Sequence, residues 1–194
     1  DLNNDGTPDD EQYVDVTFSI KTEDATKGTL EGETSYKDLV PGLGLTVPTV
    51  VDAEKDGWAF DGWAPELTED EERNILVPSE TTNYVATWAE DKNGDNTPDK
   101  DQYVTLTFES AHGFDGKEGT SYTLEDQVPG LTFQAATPVD TDTDKVVFVG
   151  WNNGLAKDGS GTVPEKDTTY TAQYKDDLNN DGTPDDEQYV DVTF

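Results

Sequence analysis

The chain has 194 residues, with 12 basic and 44 acidic side chains and a formal net charge of −32. So large a negative excess repels phosphate backbones and anionic lipid headgroups, which excludes nucleic acid and membrane insertion from the expected partners. Cysteine is absent and histidine occurs once, as His112, which excludes disulfide frameworks, thiol catalysis and His-rich metal centres.

Hydrophobic residues make up only 31% of the chain, low enough to raise the question of disorder, yet 4 Trp, 8 Tyr and 7 Phe are more than disordered acidic segments carry. No apolar run approaches the ~20 residues of a membrane span, and no serine sits in a nucleophile motif. The expectation is a folded protein that is not an enzyme. It carries no signal peptide, sorting or lipidation motif, and its first residue already lies inside a recurring motif, so it reads as a segment of something longer.

Self-comparison organises everything else. Residues 1–18, DLNNDGTPDDEQYVDVTF, recur without change at 177–194, and a diverged copy, DKNGDNTPDKDQYVTLTF, occupies 91–108. The chain is therefore two repeats and the opening of a third. Acidic connectors span 1–12, 91–102 and 177–188; aromatic-bearing bodies span 13–90 and 103–176; residues 189–194 begin a third body. Each body is large enough for a small, marginal core.

In chain order, the first connector reads D-x-N-x-D-G-T-P-D-x-x-Q. Oxygen-bearing side chains at positions 1, 3, 5 and 9 are what a loop needs to wrap a hard cation in 6 to 8 oxygens. Position 6 must turn sharply, and Gly6, Asn96 and Gly182 tolerate the left-handed conformation. Position 7 would offer a backbone carbonyl. The expected calcium ligands are Asp1, Asn3, Asp5, Thr7, Asp9 and Gln12; then Asp91, Asn93, Asp95, Thr97, Asp99 and Gln102; then Asp177, Asn179, Asp181, Thr183, Asp185 and Gln188.

Two features depart from an EF-hand. Position 12 is neutral Gln, with an acid one residue earlier (Glu11, Asp101, Glu187), so the last ligand stays open between positions 11 and 12. Position 8 is proline throughout, and a strand rather than a helix follows. The loop is closer to the stand-alone calcium loops of thrombospondin type 3 repeats, with an expected affinity of about 10⁻⁴ to 10⁻³ M. The alternative is a solvated acidic linker.

In the first body, Val14, Val16, Phe18 and Ile20 alternate with polar residues as in a half-buried strand. Ser35 to Val40 reads as a short helix stopped by Pro41-Gly42. Trp58 and Phe60 alternate again, Gly62 marks a bulge or close backbone approach, and Tyr84, Ala86 and Trp88 share a face. The Glu69-Asp70-Glu71-Glu72 run reads as a solvated loop or helical turn.

The second body repeats the plan with Val104, Leu106 and Phe108, a helix over Ser121 to Val128, Val146 and Phe148, Gly150, and Tyr170, Ala172 and Tyr174. Its middle, FESAHGFDGKEG, is shorter than FSIKTEDATKGTLEGE, so the second hairpin is expected to differ. His112 reads as solvent-exposed. Trp58, Trp63, Trp88 and Trp151 read as core, the alternative being a sugar-stacking platform.

The opening Y-V-x-x-T-F strand, the V-P-G-L corner, F-x-G-W and the closing V-P-x-x-x-T-x-Y-x-A-x-[WY] resemble the Listeria–Bacteroides repeats, which include the internalin B-repeat type. Streptococcal SHIRT repeats are similar in layout. The resemblance implies an α+β, mostly β architecture of tandem small β-grasp-like modules in an elongated array, on the cell surface or cell wall of bacteria, and no catalytic residues. The expected role is a structural stalk or spacer whose connectors are rigidified by calcium, with neighbouring repeats of the same chain as partners. The alternative is an adhesin module binding a host protein or glycan.

Overall fold

The fold follows from the alternation just described, and the computed structural model describes it over residues 1–52, 57–140 and 145–188. The strands of the first body are β1 (Val14–Ser19), β2 (Gly28–Glu31), β3 (Ser35–Leu39), β4 (Thr49–Asp52), β5 (Trp58–Ala64), β6 (Thr68–Glu69), β7 (Ile75–Leu76) and β8 (Thr82–Glu90). Those of the second are β9 (Val104–Glu109), β10 (Ser121–Gln127), β11 (Thr132–Gln134), β12 (Val146–Trp151), β13 (Ser160–Thr162) and β14 (Thr168–Asp176). The chain divides into two compact units, Asp1–Asp101 and Gln102–Phe194.

Each unit is built on a four-stranded sheet with the same order, β3-β1-β8-β5 in the first and β10-β9-β14-β12 in the second. The central pair, β1 with β8 and β9 with β14, is parallel, and the flanking pairs are antiparallel. Parallel pairing of the first and last long strands needs the rest of the body as its crossover. It sets Phe18 opposite Tyr84 and Phe108 opposite Tyr170. Their rings stack at 5.3 and 5.5 Å, so the core centre is the same in both units. Around Phe18 pack Val14, Val16, Leu45 and Val77; around Phe108 pack Leu106, Phe114, Phe133 and Trp151.

The two stretches expected to be helical are the edge strands β3 and β10. Tyr36 lies opposite Val16 and Leu39 opposite Val14, so three steps on β3 match two on β1. The extra residue is taken up by a β-bulge with Asp38 at φ 53°, and Asp126 repeats it at φ 53°. A bulge returns residues three apart to one face, which is also what a helix does. The helical turns among the described residues are single 3-10 turns, so the class is mostly β without the α component expected.

A second bulge lies at Gly62, with φ 107°, and at Gly150, where the registers of β5 and β12 shift. No neighbour lies within 4 Å of a Cβ built at either glycine, so of the two readings the bulge is the observed one. It brings Trp63 back beside Phe60 at 5.5 Å and Trp151 beside Phe148 at 5.6 Å. The F-x-G-W spacing is thus a strand with one residue added.

The bodies differ where the sequence shortens. The first pairs β2 with β4 in a two-stranded sheet, whereas the corresponding part of the second has isolated bridges from Phe114 to Lys117 and Pro138. His112 in that segment is half-buried rather than exposed, its ring edge-on to Tyr174 at 4.6 Å, because the shorter loop folds back onto the sheet. The expected opening strand of a third body, with Val190, Val192 and Phe194, lies outside the described residues.

Gly28 tests packing on β2. A Cβ there would strike the Trp88 ring and approach the Val51 carbonyl oxygen to 2.7 Å. Gly28→Ala is expected to destabilise the first body by about 1–3 kcal/mol through overpacking. Urea unfolding followed by tryptophan fluorescence checks this; an unchanged midpoint would mean that Trp88 yields without cost.

The acidic run at 69–72 is the turn of the small β6–β7 hairpin. Asp70 accepts hydrogen bonds from Asn74 Nδ2 at 2.8 Å, Asn74 N at 2.8 Å and Glu72 N at 2.9 Å. The Asn74 side chain and amide hold its carboxyl below the ordinary 3.8. A carboxylate with a lowered folded-state pKa contributes its stabilisation above the unfolded value and loses it as pH falls through the folded one. The turn is therefore expected to be closed above pH 4 and to loosen only below about 3.8, visible as faster exchange of the Asn74 amide; loosening already at pH 5 would contradict it.

Candidate cation-binding connectors

Each connector folds into a ring of hydrogen bonds among the residues expected to be ligands. In the first, Asp1 accepts the amides of Asp5 (3.0 Å) and Gly6 (2.9 Å), and Asp5 accepts that of Thr7 (2.8 Å). Asn3 donates to Asp5 at 2.9 Å and to the Gln12 amide oxygen at 3.4 Å. Gln12 Nε2 donates to Asp5 at 3.4 Å and to the Thr7 carbonyl at 3.3 Å, while Asp9 accepts the Leu2 amide at 2.9 Å. Positions 1, 3, 5, 7 and 12 are thus linked within one loop of 12 residues, with position 9 tied to Leu2.

The third connector repeats this. Asp177 accepts Asp181 N (3.1 Å) and Gly182 N (2.8 Å), and Asp181 accepts Thr183 N (2.9 Å). Gln188 Nε2 reaches Asp181 (2.8 Å) and Thr183 O (2.9 Å), Asn179 reaches Asp181 (3.1 Å), and Asp185 accepts Leu178 N (3.2 Å). In the middle connector Asp91 accepts Gly94 N (2.8 Å), Asp95 N (3.2 Å) and Asn96 N (2.9 Å). There Asp95 accepts Thr97 N (2.8 Å) and Asn93 Nδ2 (2.9 Å), and Asp99 accepts Lys92 N (3.0 Å).

Gly6, Asn96 and Gly182 have φ of 87°, 65° and 81°, the left-handed turn that position 6 needs. Position 4 is left-handed too, with Asn4, Gly94 and Asn180 at 58°, 71° and 55°. Its restriction to Asn or Gly was the available signal. Two successive reversals aim the chain's amides inward at the position 1 carboxylate. The Thr7 amide holds the Asp5 carboxyl below its ordinary value, and the Thr183 amide does the same for Asp181.

Of positions 11 and 12, Gln12 and Gln188 join the ring, whereas Glu187 lies 3.6 Å from Lys175. Among the described residues no group of three or more His, Cys, Asp or Glu side chains stands ready to hold a metal ion. The reason lies in the ring itself: its carboxylate oxygens face backbone amides, and amide nitrogens of Asn and Gln face the remaining acceptors.

Sequence reasoning missed how connectors dock onto bodies. The Asp91 and Asp177 amides donate to the carbonyls of Gly57 and Lys145, both at 2.9 Å. Lys100 pairs with Asp61 at 2.7 Å, Lys175 with Asp186 at 3.0 Å, and Asn3 Nδ2 donates to Pro41 O, in the V-P-G-L corner, at 3.0 Å. Pro98 and Pro184 are buried, while Pro8 is exposed. In the second and third connectors the position 8 proline is thus an apolar foot as well as a turn residue.

No tryptophan is exposed; Trp63, Trp88 and Trp151 pack edge-on against phenylalanines, and Lys27 lies 3.5 Å above the Trp58 ring. A stacking platform needs solvent-facing rings, whereas Trp151 is buried and the other three are half-buried. Clefts occur in both bodies: the one of about 500 Å³ beside Phe148, Trp151 and Pro138 is mostly apolar with Lys157 and Asp158 on its wall, whereas that of about 770 Å³ beside Trp63 carries Asp61, Glu66, Glu69 and Lys100.

No protein-family model matches the chain, and no curated protein matches it at a significant level. Among solved structures, a match is found to the Streptococcal High Identity Repeats in Tandem (SHIRT) domains 3-4 of a cell surface protein, with 15% identity over 83% of this chain and 96% of that one and a TM-score of 0.33. No helix among the described residues is long and apolar enough to cross a membrane.

Proposed function

We propose that the chain is a structural spacer from the stalk of an extracellular bacterial surface protein, made of tandem β-grasp-like repeats whose connectors are stiffened by calcium. The observation that carries this is the threefold recurrence of one loop geometry with hard oxygen donors at the same positions. A linker selected only for solubility has no need to keep a carboxylate at positions 1, 5 and 9 and an amide at 3 and 12 while other positions drift. The sheet order, with first and last strands parallel at the centre, supports the β-grasp-like description.

The residues fit the ion. Asp, Asn and Gln oxygens with one backbone carbonyl suit calcium and offer nothing to a soft metal. Rotating the Asn and Gln side-chain amides exchanges their nitrogens for oxygens within the same ring. Asp1, Asn3, Asp5, Thr7 O, Asp9 and Gln12 would hold the ion, as would their counterparts in the other loops. When bound, calcium supplies positive charge that offsets the mutual repulsion of the carboxylates. The chain's own part is to hold six oxygens on one short loop and to anchor that loop through its Asn and Pro residues.

At about 10⁻⁴ to 10⁻³ M affinity, millimolar calcium stabilises each loop by roughly 0.5–1.5 kcal/mol. That is small against a folded body and large against a 12-residue hinge. Small-angle scattering in millimolar calcium and then in excess chelator tests the reading. We expect a distance distribution that broadens on chelation; an unchanged profile, together with no heat of calcium binding, would overturn it.

A further inference from the structure

Position 2 of the connectors is Leu2, Lys92 and Leu178. The two leucines are 67% and 62% exposed, so no core dictates the residue there. In the middle connector Lys92 Nζ lies 2.6 Å from Glu90 Oε2 and 3.7 Å from Asp99 Oδ2. Asp99 is 1% exposed; one carboxylate oxygen accepts the Lys92 amide, and the other is buried without a hydrogen-bond partner. Neither outer loop has this arrangement. Asp9 accepts the Leu2 amide at 2.9 Å, and both oxygens of Asp185 lie within 3.3 Å of the Leu178 amide.

A buried carboxylate oxygen without a hydrogen bond is costly unless a positive charge stands near it. We infer that Lys92 is a tethered substitute cation: it holds Asp99 in place when the middle connector carries no metal, and it competes with the metal for the same carboxylate. The inference rests on the calcium reading for its second half only. A divalent ion bound by Asp99 must push the ammonium aside or bear its repulsion. Because the Lys92 side chain is 55% exposed and has Glu90 as a second partner, solvent screens much of that conflict. The effect is therefore a tuning of affinity rather than a block.

The test uses the whole chain with Asp5→Ala and Asp181→Ala, which silence the outer loops at exposed positions and leave the middle one. Adding Lys92→Leu, the residue of the sister loops, is expected to lower the calorimetric calcium Kd roughly 3- to 10-fold. In chelator it should reduce amide-exchange protection at position 92, whose N–H donates to Asp99. Lys92→Arg, which keeps the charge, should leave both near the parent. Equal Kd and equal protection in all three variants overturn the inference, as does Lys92→Arg behaving like Lys92→Leu. If no variant binds calcium, the calcium reading fails alone. The exchange comparison then decides: a loss of protection with Leu and not with Arg supports the substitute cation, and equal protection overturns it.

Discussion

Phe108→Ala is expected to strip the second body of much of its stability while that of the first is unchanged. Phe108 has no exposed surface, and its ring meets Tyr122 at 4.9 Å, Tyr170 at 5.5 Å and Phe133 and Trp151 at 5.8 Å. Truncation removes the ring that four other aromatics share and leaves a cavity that a β-sheet body closes poorly. Buried Phe→Ala changes cost about 3–5 kcal/mol, and a body of this size has roughly 4–10 kcal/mol in total. The first body keeps its own cluster around Phe18 and Tyr84. Thermal melting should move one of two transitions to lower temperature, and two-dimensional NMR in mild urea should lose the second body's dispersed signals before those of the first. Collapse of both bodies would contradict the separation of their cores.

Asp91→Ala carries the second large effect, confined to the middle connector. Asp91 is 3% exposed, and its carboxylate accepts three successive backbone amides, those of Gly94, Asp95 and Asn96. Hydrogen bonds to a charged group each contribute about 1.5–3 kcal/mol, and alanine removes all three, so the first half of the loop loses the acceptor around which it closes. Limited proteolysis should cut within 91–102 with both bodies still folded, and protection of the Gly94 and Asn96 amides should vanish. Asp91→Asn, which keeps one oxygen, should be cut more slowly. Unchanged protection would mean that docking to the body, rather than the carboxylate, shapes the loop.

The candidate site was far more legible than the edges of the fold. A connector is closed by contacts no more than nine residues apart, such as Asn3 to Gln12, so its geometry is written in local spacing. Its docking was not: Asn3 reaches Pro41 across 38 residues, and no pattern near Asn3 records that partner. The strand–helix confusion at Ser35–Val40 has a definite cause. A bulge at Asp38 gives Tyr36 and Leu39 the three-residue spacing of a helix face, and periodicity alone cannot separate the two. The same device at Gly62 and Gly150 was readable because glycine announces a left-handed backbone, whereas Asp38 and Asp126 adopt one without doing so.

The amino-acid sequence by itself determined the repeat, the period-two strands, the acidic loops with their turn residues and the exclusion of thiol and His-rich metal chemistry. All of these are local, or are self-similarities of the chain. The parallel pairing of first and last strands, the stacking of Phe18 on Tyr84 and of Phe108 on Tyr170, and the burial of Asp99 beside Lys92 were decided only by tertiary structure. Each joins groups through the packed body between them. Which partner a strand or a charge finds is set by the shape that body takes, and shape is a property of the whole core rather than of any window of sequence.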